Sequence, residues 1–236
     1  MCNEACIIFV AKSLTRKDVE GKEVIELGIG PVGVKPLLAA WSPKNYLGLD
    51  VLPGPGVDVT MPAERAADAL GPGRFDLVLS TEMLEHVRDW RTVVGSMKRL
   101  CKPGGRLILT TRSLGYPFHA PPDYWRYEPS DLKRIFSDFQ DCSVEPDPLE
   151  PGVFLSAVRP EAGSTFADLS SVAIYSMVDG HRTATIPSGP PSRCATARNV
   201  WKTRAALTGR MMVDTLRRRP PSIRFRTTPP SPRNRP

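Results

Sequence analysis

The segment at residues 24–33 constrains the fold more than any other part of the chain, because it joins a strand, a glycine turn and a helix start. A β-branched run ends at Glu26, and Gly28 and Gly30 follow before a helical pattern begins. Glycine lets the backbone turn tightly and approach a ligand where a Cβ would collide. Asp50 ends the next apolar run. The pattern predicts a nucleotide-type cofactor site at the carboxyl ends of two adjacent parallel strands.

Strands and helices alternate from about residue 23 to residue 160, which predicts a parallel sheet covered on both faces. We expect helices at about 33–41, 62–70, 84–100 and 130–136, and strands at about 23–27, 46–50, 57–59, 75–79, 106–111, 142–145 and 152–158. The last strand can pair antiparallel to its neighbour. The predicted fold is α/β and Rossmann-like: a doubly wound, mostly parallel seven-stranded sheet with a closing antiparallel strand.

Composition divides the chain into a lead-in, a folded domain and a basic tail. We expect a lead-in at residues 1–20, a domain at 21–165 with a lid at about 112–128, and a domain end at 166–178. The predicted lid is aromatic and rich in proline, and irregular loops of that length usually carry function. Residues 179–236 have nine prolines and a net charge of +11, whereas residues 1–178 carry −4. We therefore expect a disordered tail, whose charge says little about what the domain binds.

The sequence also predicts a soluble, cytoplasmic protein. No apolar run reaches the ~18 residues that a membrane-spanning helix requires. The five cysteines are odd in number and scattered, without a CxxC pair. This pattern favours reduced thiols over a disulfide framework or a zinc site.

Several segments in a fixed order resemble class I S-adenosylmethionine-dependent methyltransferases of the type 11 family. They are Glu26-Leu-Gly-Ile-Gly30, residues 46–50, residues 75–87 ending in Ser-Thr-Glu-Met-Leu-Glu-His-Val, and Lys102-Pro-Gly-Gly-Arg-Leu-Ile-Leu109. Residues 119–127, His-Ala-Pro-Pro-Asp-Tyr-Trp-Arg-Tyr, look like a subgroup found beside glycan and cell-surface biosynthesis enzymes. The resemblance covers about residues 20–160. It implies S-adenosyl-L-methionine as the cofactor and a small-molecule or glycan-type acceptor as the second substrate.

The resemblance also implies roles for the residues of the first two strands. Gly28 and Gly30 would lie against the methionine part of the cofactor. Glu26 would hold the ammonium group of that methionine, directly or through water. Asp50 would accept hydrogen bonds from both ribose hydroxyls, since a carboxylate has two acceptor oxygens. Each residue has a structural alternative as well, because a glycine can serve only to turn the chain and Asp50 can cap a helix.

Four more residues complete the expected cofactor site. Ala63 and Glu64 would lie near the adenine, where Pro62 replaces an Asp that is common in relatives. Ser80 and Thr81, which follow the fourth strand, are the other two expected cofactor-binding residues. The adenine contact is thus one place where the chain departs from the family pattern. The third glycine of the turn is another, because Val32 stands where many relatives have Gly and Gly33 follows it.

Two histidines are candidates for the base that a hydroxyl acceptor would require. His86 follows the fourth strand, and His119 lies in the predicted lid, where Asp123 or Tyr124 is its expected partner. The alternative for His119 is a loop histidine that is exposed or packed against Trp125. We therefore expect the catalytic residues among His119, His86 and Asp123.

Glu82, Glu85 and His86 form the pattern E-x-x-E-H. The pattern resembles ubiquinone-pathway O-methyltransferases, in which such a cluster binds a divalent ion. On a helix, Glu82 and His86 would share a face, and this donor set suits Mg²⁺ or Mn²⁺. The alternative is that Glu85 and His86 stabilise the helix start and orient the lid, and no residue is assigned as a metal ligand.

The aromatic residues of the predicted lid are expected to shape the acceptor pocket; they are Tyr116, Tyr124, Trp125 and Tyr127. Arg126 either holds an acidic or phosphorylated acceptor or forms a surface salt bridge. Since an arginine suits both roles, Arg126 does not predict whether the acceptor is charged.

Two other functions compete with small-molecule methylation. The basic tail suggests a nucleic-acid methyltransferase. Amino-group enzymes of that kind carry Asn/Asp-Pro-Pro-Tyr/Phe after the fourth strand, where this chain has Ser80-Thr81-Glu82. The tail also has few aromatic residues for base stacking, and we do not expect nucleic acid as a partner of the folded domain. The other competitor is a non-catalytic module that binds S-adenosylmethionine, which the intact Glu26 and Asp50 disfavour.

Overall fold

A computed structural model of the chain describes residues 3–30, 33–118, 122–161 and 165–189. Within these ranges the backbone forms ten strands. They are β1 (Glu23–Leu27), β2 (Asn45–Asp50), β3 (Val59–Thr60), β4 (Phe75–Thr81), β5 (Cys101–Arg112), β6 (Trp125–Arg126), β7 (Gln140–Pro146), β8 (Gly152–Val158), β9 (Ile174–Ser176) and β10 (Arg182–Thr183). The described helices are α1 (Glu4–Ser13), α2 (Lys35–Ala39), α3 (Ala66–Leu70), α4 (Trp90–Leu100) and α5 (Pro129–Ile135).

Seven strands form one sheet in the order β3-β2-β1-β4-β5-β8-β7. The pairs between β3 and β5 are parallel, whereas β8 is antiparallel to both β5 and β7. The prediction of a doubly wound, mostly parallel seven-stranded sheet with a closing antiparallel strand is confirmed. Because β1 lies between β2 and β4, the carboxyl ends of these three strands meet at one edge of the sheet.

Helices cover both faces of the sheet. Since side chains alternate along a strand, neighbouring residues of β1 enter different cores. Val24 packs with α1 and α2 in one core, and Ile25 packs with α3, α4 and α5 in the other. The lead-in thus contributes α1 to the covering layer. In particular, Phe9 and Val10 of α1 are buried.

The C-terminal part of the described chain forms a second, three-stranded sheet in the order β10-β9-β6. Trp125 pairs with Ser176 and Arg126 with Tyr175, both antiparallel. Strand β10 lies just beyond the boundary expected at residue 178, and most of the expected tail, residues 190–236, lies outside the described residues. The proposed domain boundaries stay a prediction.

Two local expectations need correction. The helix expected at 84–100 is divided into a 3₁₀ turn at Leu84–His86 and α4, because the Asp89 side chain accepts a hydrogen bond from the Thr92 N–H and starts a new helix. Cys101 and Cys142 are free, but Cys6 is disulfide-bonded, so the expectation of reduced thiols is wrong there. Among the described helices, none combines the length and the apolar character needed to cross a membrane.

Candidate cofactor and acceptor site

A cavity of about 470 Å³ opens at the edge where β1, β2 and β4 end. Its size is typical of sites for organic ligands. Five of the expected cofactor residues line this cavity, namely Gly28, Gly30, Asp50, Ala63 and Glu64. A second part of the cavity wall includes His86, Pro122 and Tyr124. One cavity therefore contains both the cofactor residues and a catalytic candidate that the sequence predicts.

The two glycines of the turn after β1 have left-handed backbone angles, with φ of 71° at Gly28 and 55° at Gly30. A Cβ on Gly28 would lie 2.5 Å from the Cγ of Met83, so the position has no room for a side chain. A Cβ on Gly30 would meet nothing within 4 Å. Glycine is thus required sterically at the first position, and the second presents bare backbone to open space.

Glu26 ends β1 and is fully buried. Its carboxylate accepts hydrogen bonds from the Val34 N–H at 3.0 and 3.2 Å, from the Tyr46 hydroxyl at 2.5 Å and from the Thr81 hydroxyl at 3.4 Å. Burial raises the pKa of Glu26, against the opposing effect of these donors. Glu26 and Thr81 are not among the described residues that line the cavity, and neither is the buried Ser80. In this arrangement Glu26 fixes the loop behind the cavity wall.

Asp50 ends β2 at the cavity wall. Its Oδ2 accepts a hydrogen bond from the Gly30 N–H at 3.0 Å, and its Oδ1 accepts one from the Leu52 N–H at 3.1 Å. The Gly28 N–H donates to the carbonyl oxygen of Leu49 at 2.8 Å. The glycine turn and the Asp50 carboxylate are therefore held together by the main chain of two neighbouring strands.

The part of the wall that includes His86, Pro122 and Tyr124 is held by residues far apart in sequence. The Nδ1 of His86 lies 2.5 Å from the carbonyl oxygen of Pro122. Because a carbonyl only accepts, Nδ1 is the donor. The Tyr124 N–H donates to Glu85 O at 2.8 Å, and Tyr124 O accepts from the Met177 N–H at 2.7 Å. The second sheet thus positions a side chain of the cavity.

Two acidic side chains lie beside this wall. Glu82 lines the cavity, although its side chain is only 3% exposed, and its Oε2 contacts Arg112 Nε as an ion pair. Glu85 is fully buried, and its Oε2 accepts a hydrogen bond from the Thr111 hydroxyl at 2.9 Å. Burial and the nearby charge of Glu85 raise the pKa of Glu82 to about 8, even though Arg112 acts in the opposite direction.

The helical interpretation of E-x-x-E-H is wrong. Glu82 has a φ of 54° and lies outside any helix, so Glu82 and His86 do not share a helical face. Within the described ranges, no three His, Cys, Asp or Glu side chains are grouped so that they could hold a metal ion. Glu82 and Glu85 instead contact the end of β5.

Asp123 and Arg126 form a bidentate ion pair with N–O distances of 2.5 and 2.7 Å. Both side chains are fully buried, so the alternative of a surface salt bridge is wrong. Asp123 is not among the described residues that line the cavity, and His119 lies outside the described residues. The ion pair therefore stabilises the segment that precedes β6.

The aromatic residues of the predicted lid divide between the cavity and the core. Of these side chains, Tyr124 lines the cavity. Trp125 and Tyr127 are fully buried, and the Trp125 Nε1–H donates to the carbonyl oxygens of Val87 and Arg88 at 3.0 and 3.1 Å. Tyr116 packs its ring 4.0 Å from the guanidinium carbon of Arg112. The expectation that all four shape the pocket directly is therefore wrong for the two buried residues.

Sequence reasoning missed three residues of this region. Tyr46 donates to Glu26, Met83 fills the space beside Gly28, and Arg112 pairs with Glu82. Tyr46 could have been found from the parallel register, since it lies on β2 two residues before Gly48, the partner of Glu26. Nothing in the local sequence around Arg112 indicates its partners, because they come from distant segments.

The strand order, the antiparallel β8 and the cavity at the carboxyl ends of β1 and β2 define a class I S-adenosylmethionine-dependent methyltransferase fold. Residues 4–140 match a family model described as a methyltransferase domain. The match covers more than half of the chain, and the chain belongs to this family of S-adenosylmethionine-dependent methyltransferases.

Curated relatives match a shorter part of the chain. A ubiquinone biosynthesis O-methyltransferase from Pseudomonas aeruginosa (strain UCBPP-PA14) is 36% identical over 110 residues, which is 41% of this chain and 47% of that protein. A protein of the same description from Methylococcus capsulatus is 51% identical over 49 residues, 21% of this chain and 20% of the relative. The chain thus spans about half the length of the first relative and about a fifth of the second.

Solved structures share the fold. A SAM-dependent methyltransferase from Archaeoglobus fulgidus superposes with a TM-score of 0.53 at 14% identity, covering 65% of this chain and 94% of that chain. A Listeria monocytogenes protein described as an S-adenosylmethionine-dependent methyltransferase gives 0.52 at 17% identity, covering 65% and 97%. At these identities the likeness concerns the fold alone.

The residues present fit S-adenosyl-L-methionine. The open side of Gly30 leaves room for a ligand against bare backbone, and the Asp50 carboxylate lies at the same wall. The cavity volume also suits a molecule of this size.

Proposed function

We propose that this chain transfers a methyl group from S-adenosyl-L-methionine to a small-molecule or glycan-type acceptor. The observation that carries the proposal is that Gly30, Asp50, His86 and Tyr124 line the same cavity. Methyl transfer requires the acceptor and the cofactor to meet at about 3–3.5 Å with water excluded. A shared cavity provides that proximity.

In this proposal the first wall binds the cofactor. Gly28 and Gly30 offer backbone to its methionine part, Asp50 accepts the ribose hydroxyls, and Ala63 and Glu64 lie near the adenine. When bound, the cofactor supplies a methyl group already activated by a sulfonium. Asp50 would exchange its bond to the Gly30 N–H for ribose hydroxyls, a change between donors of similar strength.

The second wall would orient the acceptor and receive its proton. With Nδ1 of His86 donating to Pro122, Nε2 is the nitrogen through which the neutral ring accepts a proton. His86 is therefore our first candidate for the general base of a hydroxyl acceptor. His119 is the second candidate. Asp123 would act by position, since its carboxylate is held by Arg126.

Two observations favour a small acceptor. The relatives from Pseudomonas are named for O-methylation in ubiquinone biosynthesis, which suggests a hydroxyl group as the methylated site. The cavity wall also carries the carboxyl groups of Asp50, Glu64 and Glu82, and negative charge at a site disfavours a nucleic-acid backbone.

Calorimetric titration with S-adenosylmethionine tests the cofactor half of the proposal. D50A should weaken binding about a hundredfold, because two hydrogen bonds to a charged group are lost. D68A is the matched control, since Asp68 is exposed and pairs with Arg99 on the surface. Unchanged affinity in D50A would refute the assigned site.

A methyl-transfer assay tests the acceptor half. Phenolic compounds and sugar nucleotides would be offered with S-adenosylmethionine, and the wild type should methylate a member of one of these classes. H86A should then retain cofactor affinity and lose turnover by about a hundredfold, the usual range for a general base. Full turnover in H86A would transfer the role to His119.

A further inference from the structure

Glu82 lines the cofactor cavity with its carboxylate oxygens buried, and it does so at a conformational cost. Its φ of 54° is left-handed, which costs a residue with a side chain about 1 kcal/mol or more. Its residue surface is 8% exposed, and its Oε1 has no hydrogen-bond partner among the described residues. A buried carboxylate oxygen without a donor is unfavourable, and a positive charge close to it reduces that cost.

The charges around Glu82 do not balance. Glu85 lies behind it, and the Oε1 of Glu85 also has no hydrogen-bond partner among the described residues. The cation beside them, Arg112, is shared with Glu150 at 3.0 Å and Asp147 at 3.7 Å. When both glutamates are ionised, the cavity wall therefore carries excess negative charge.

Among the described residues, the other titratable groups near Glu82 do not remove this excess. Tyr116 packs over Arg112, and burial raises the pKa of its hydroxyl, so the ring adds no charge. His86 lines the same cavity and directs Nδ1 to Pro122 rather than to Glu82.

The order of the strands indicates which part of the cofactor approaches Glu82. In S-adenosylmethionine the sulfur bears three groups: the ribose, the amino-acid chain and the methyl group. Asp50 on β2 and the glycine turn after β1 account for the first two in the proposed function. The strand on the other side of β1 is β4, and Glu82 follows it directly. In the proposed function, the third substituent and the charged sulfur would therefore lie toward the end of β4.

We propose that Glu82, backed by Glu85, makes this cavity select the cationic cofactor S-adenosylmethionine over the neutral-sulfur product S-adenosylhomocysteine. The two molecules differ by one methyl group and one positive charge, so a nearby carboxylate contributes to the binding of the first more than the second. The inference rests on the proposed function and adds that product binds weakly because its sulfur has lost its charge.

Calorimetry with the two ligands separately tests the selection without an acceptor. At pH 8.5 E82Q should lower the affinity for S-adenosylmethionine about tenfold and change that for S-adenosylhomocysteine less than about twofold. E64Q is the matched control: Glu64 also lines the cavity, but its proposed neighbour, the adenine, is common to both ligands. E64Q should therefore leave the ratio of the two affinities unchanged.

E85Q is a second variant, because it removes the charge behind Glu82 without altering a cavity-lining residue. At pH 9.5, where Glu82 is ionised with or without the charge of Glu85, E85Q should move the ratio in the same direction as E82Q, and it decides the matter where E82Q does not fold. An unchanged ratio in the folded glutamine variants would overturn the inference and leave the proposed function standing. Failure of the wild type to bind either ligand would overturn both.

Discussion

The two walls of the cavity are built by different kinds of contact. On the cofactor side, the turn after β1 is bonded to the end of β2, its neighbour in the sheet. The Gly28 N–H donates to the carbonyl oxygen of Leu49, and the Gly30 N–H donates to the Asp50 carboxylate. On the acceptor side, arginine side chains reach across the molecule to carbonyl oxygens. Arg91 of α4 donates to Leu169 and Val172, and also contacts Ala184 O.

The difference concerns where each wall obtains its stability. The cofactor wall depends on strand geometry that any sequence with the right turn can adopt. The acceptor wall has the main-chain bonds of Tyr124 and, in addition, long side chains whose donors satisfy distant backbone groups. Arg126 shows this most clearly, since it bonds Asp123 and also donates to Tyr116 O and Pro117 O. We therefore expect single substitutions to damage the acceptor wall more than the cofactor wall.

The largest effect should come from R126A. Removing this guanidinium breaks the buried ion pair with Asp123 and should lower the free energy of unfolding by about 3–5 kcal/mol. Urea denaturation followed by circular dichroism measures the loss. R16A is the control, because Arg16 pairs with Glu20 at the exposed surface and should cost less than about 1 kcal/mol. Equal losses in both variants would contradict the contrast between the walls.

On the cofactor wall, G28A should cost about 2–4 kcal/mol, from the left-handed backbone and from the displaced Met83 side chain. G21A is a matched control. Gly21 has a similar φ of 67°, but a Cβ there meets nothing within 4 Å, so only the backbone cost of about 1–2 kcal/mol applies. The same denaturation experiment separates the two contributions. A G21A variant as unstable as G28A would show that Met83 adds nothing.

The pH dependence of stability should report Glu82. Since folding raises its pKa from 4.5 to about 8, the folded protein holds a proton that the unfolded chain releases between these values. This contribution is fully present below pH 4.5 and is lost as the pH rises through about 8. E82Q should remove this contribution. The free energy of unfolding of E82Q minus that of the wild type should therefore be greater at pH 8.5 than at pH 5 by on the order of 2 kcal/mol.

Urea midpoints at pH 5 and pH 8.5 measure this change. E64Q should retain the pH dependence of the wild type, because Glu64 is partly exposed. Parallel pH curves for E82Q and the wild type would show that Glu82 ionises in the folded state as it does in the unfolded chain.

The smallest effects concern the hydroxyls that hold Glu26. Y46F removes the 2.5 Å bond and should cost about 1–3 kcal/mol, as expected for a donor to a buried carboxylate. T81V removes the 3.4 Å bond and should cost about 0.5 kcal/mol or less, since so long a contact is weak. Denaturation of both variants ranks them. A larger loss in T81V would mean that Thr81 has a role beyond Glu26.

The sequence predicted the seven-stranded sheet because β-strands and turns are local in sequence. Glu26, Gly28 and Asp50 lie within 25 residues of one another, and parallel pairing of β1 with β2 brings them together. The buried ion pairs escaped prediction for the opposite reason. Arg112 meets Glu82 and Glu150, which are 30 and 38 positions away. No pattern of charge along the chain distinguishes such pairs from solvated surface residues.

The helix expected across 84–100 failed for a local reason that the sequence contains. Asp89 is a good N-cap residue, and the Trp125 indole takes the carbonyl oxygens of Val87 and Arg88 just before it. The cap could have been recognised, whereas the indole contact could not. The candidate site was thus predictable on its cofactor side and only in part on its acceptor side.

The pairing of β6 with β9 has a consequence for how this module could be cut or recombined. The family match ends at residue 140, yet Tyr124 of the cavity is bonded to Met177 of the second sheet. A chain severed after residue 161 would leave an unpaired β edge and three carbonyl partners of Arg91 missing. A chimaeric protein that takes its acceptor preference from a homologue would therefore have to include that homologue's segment through the position of Thr183 as one piece.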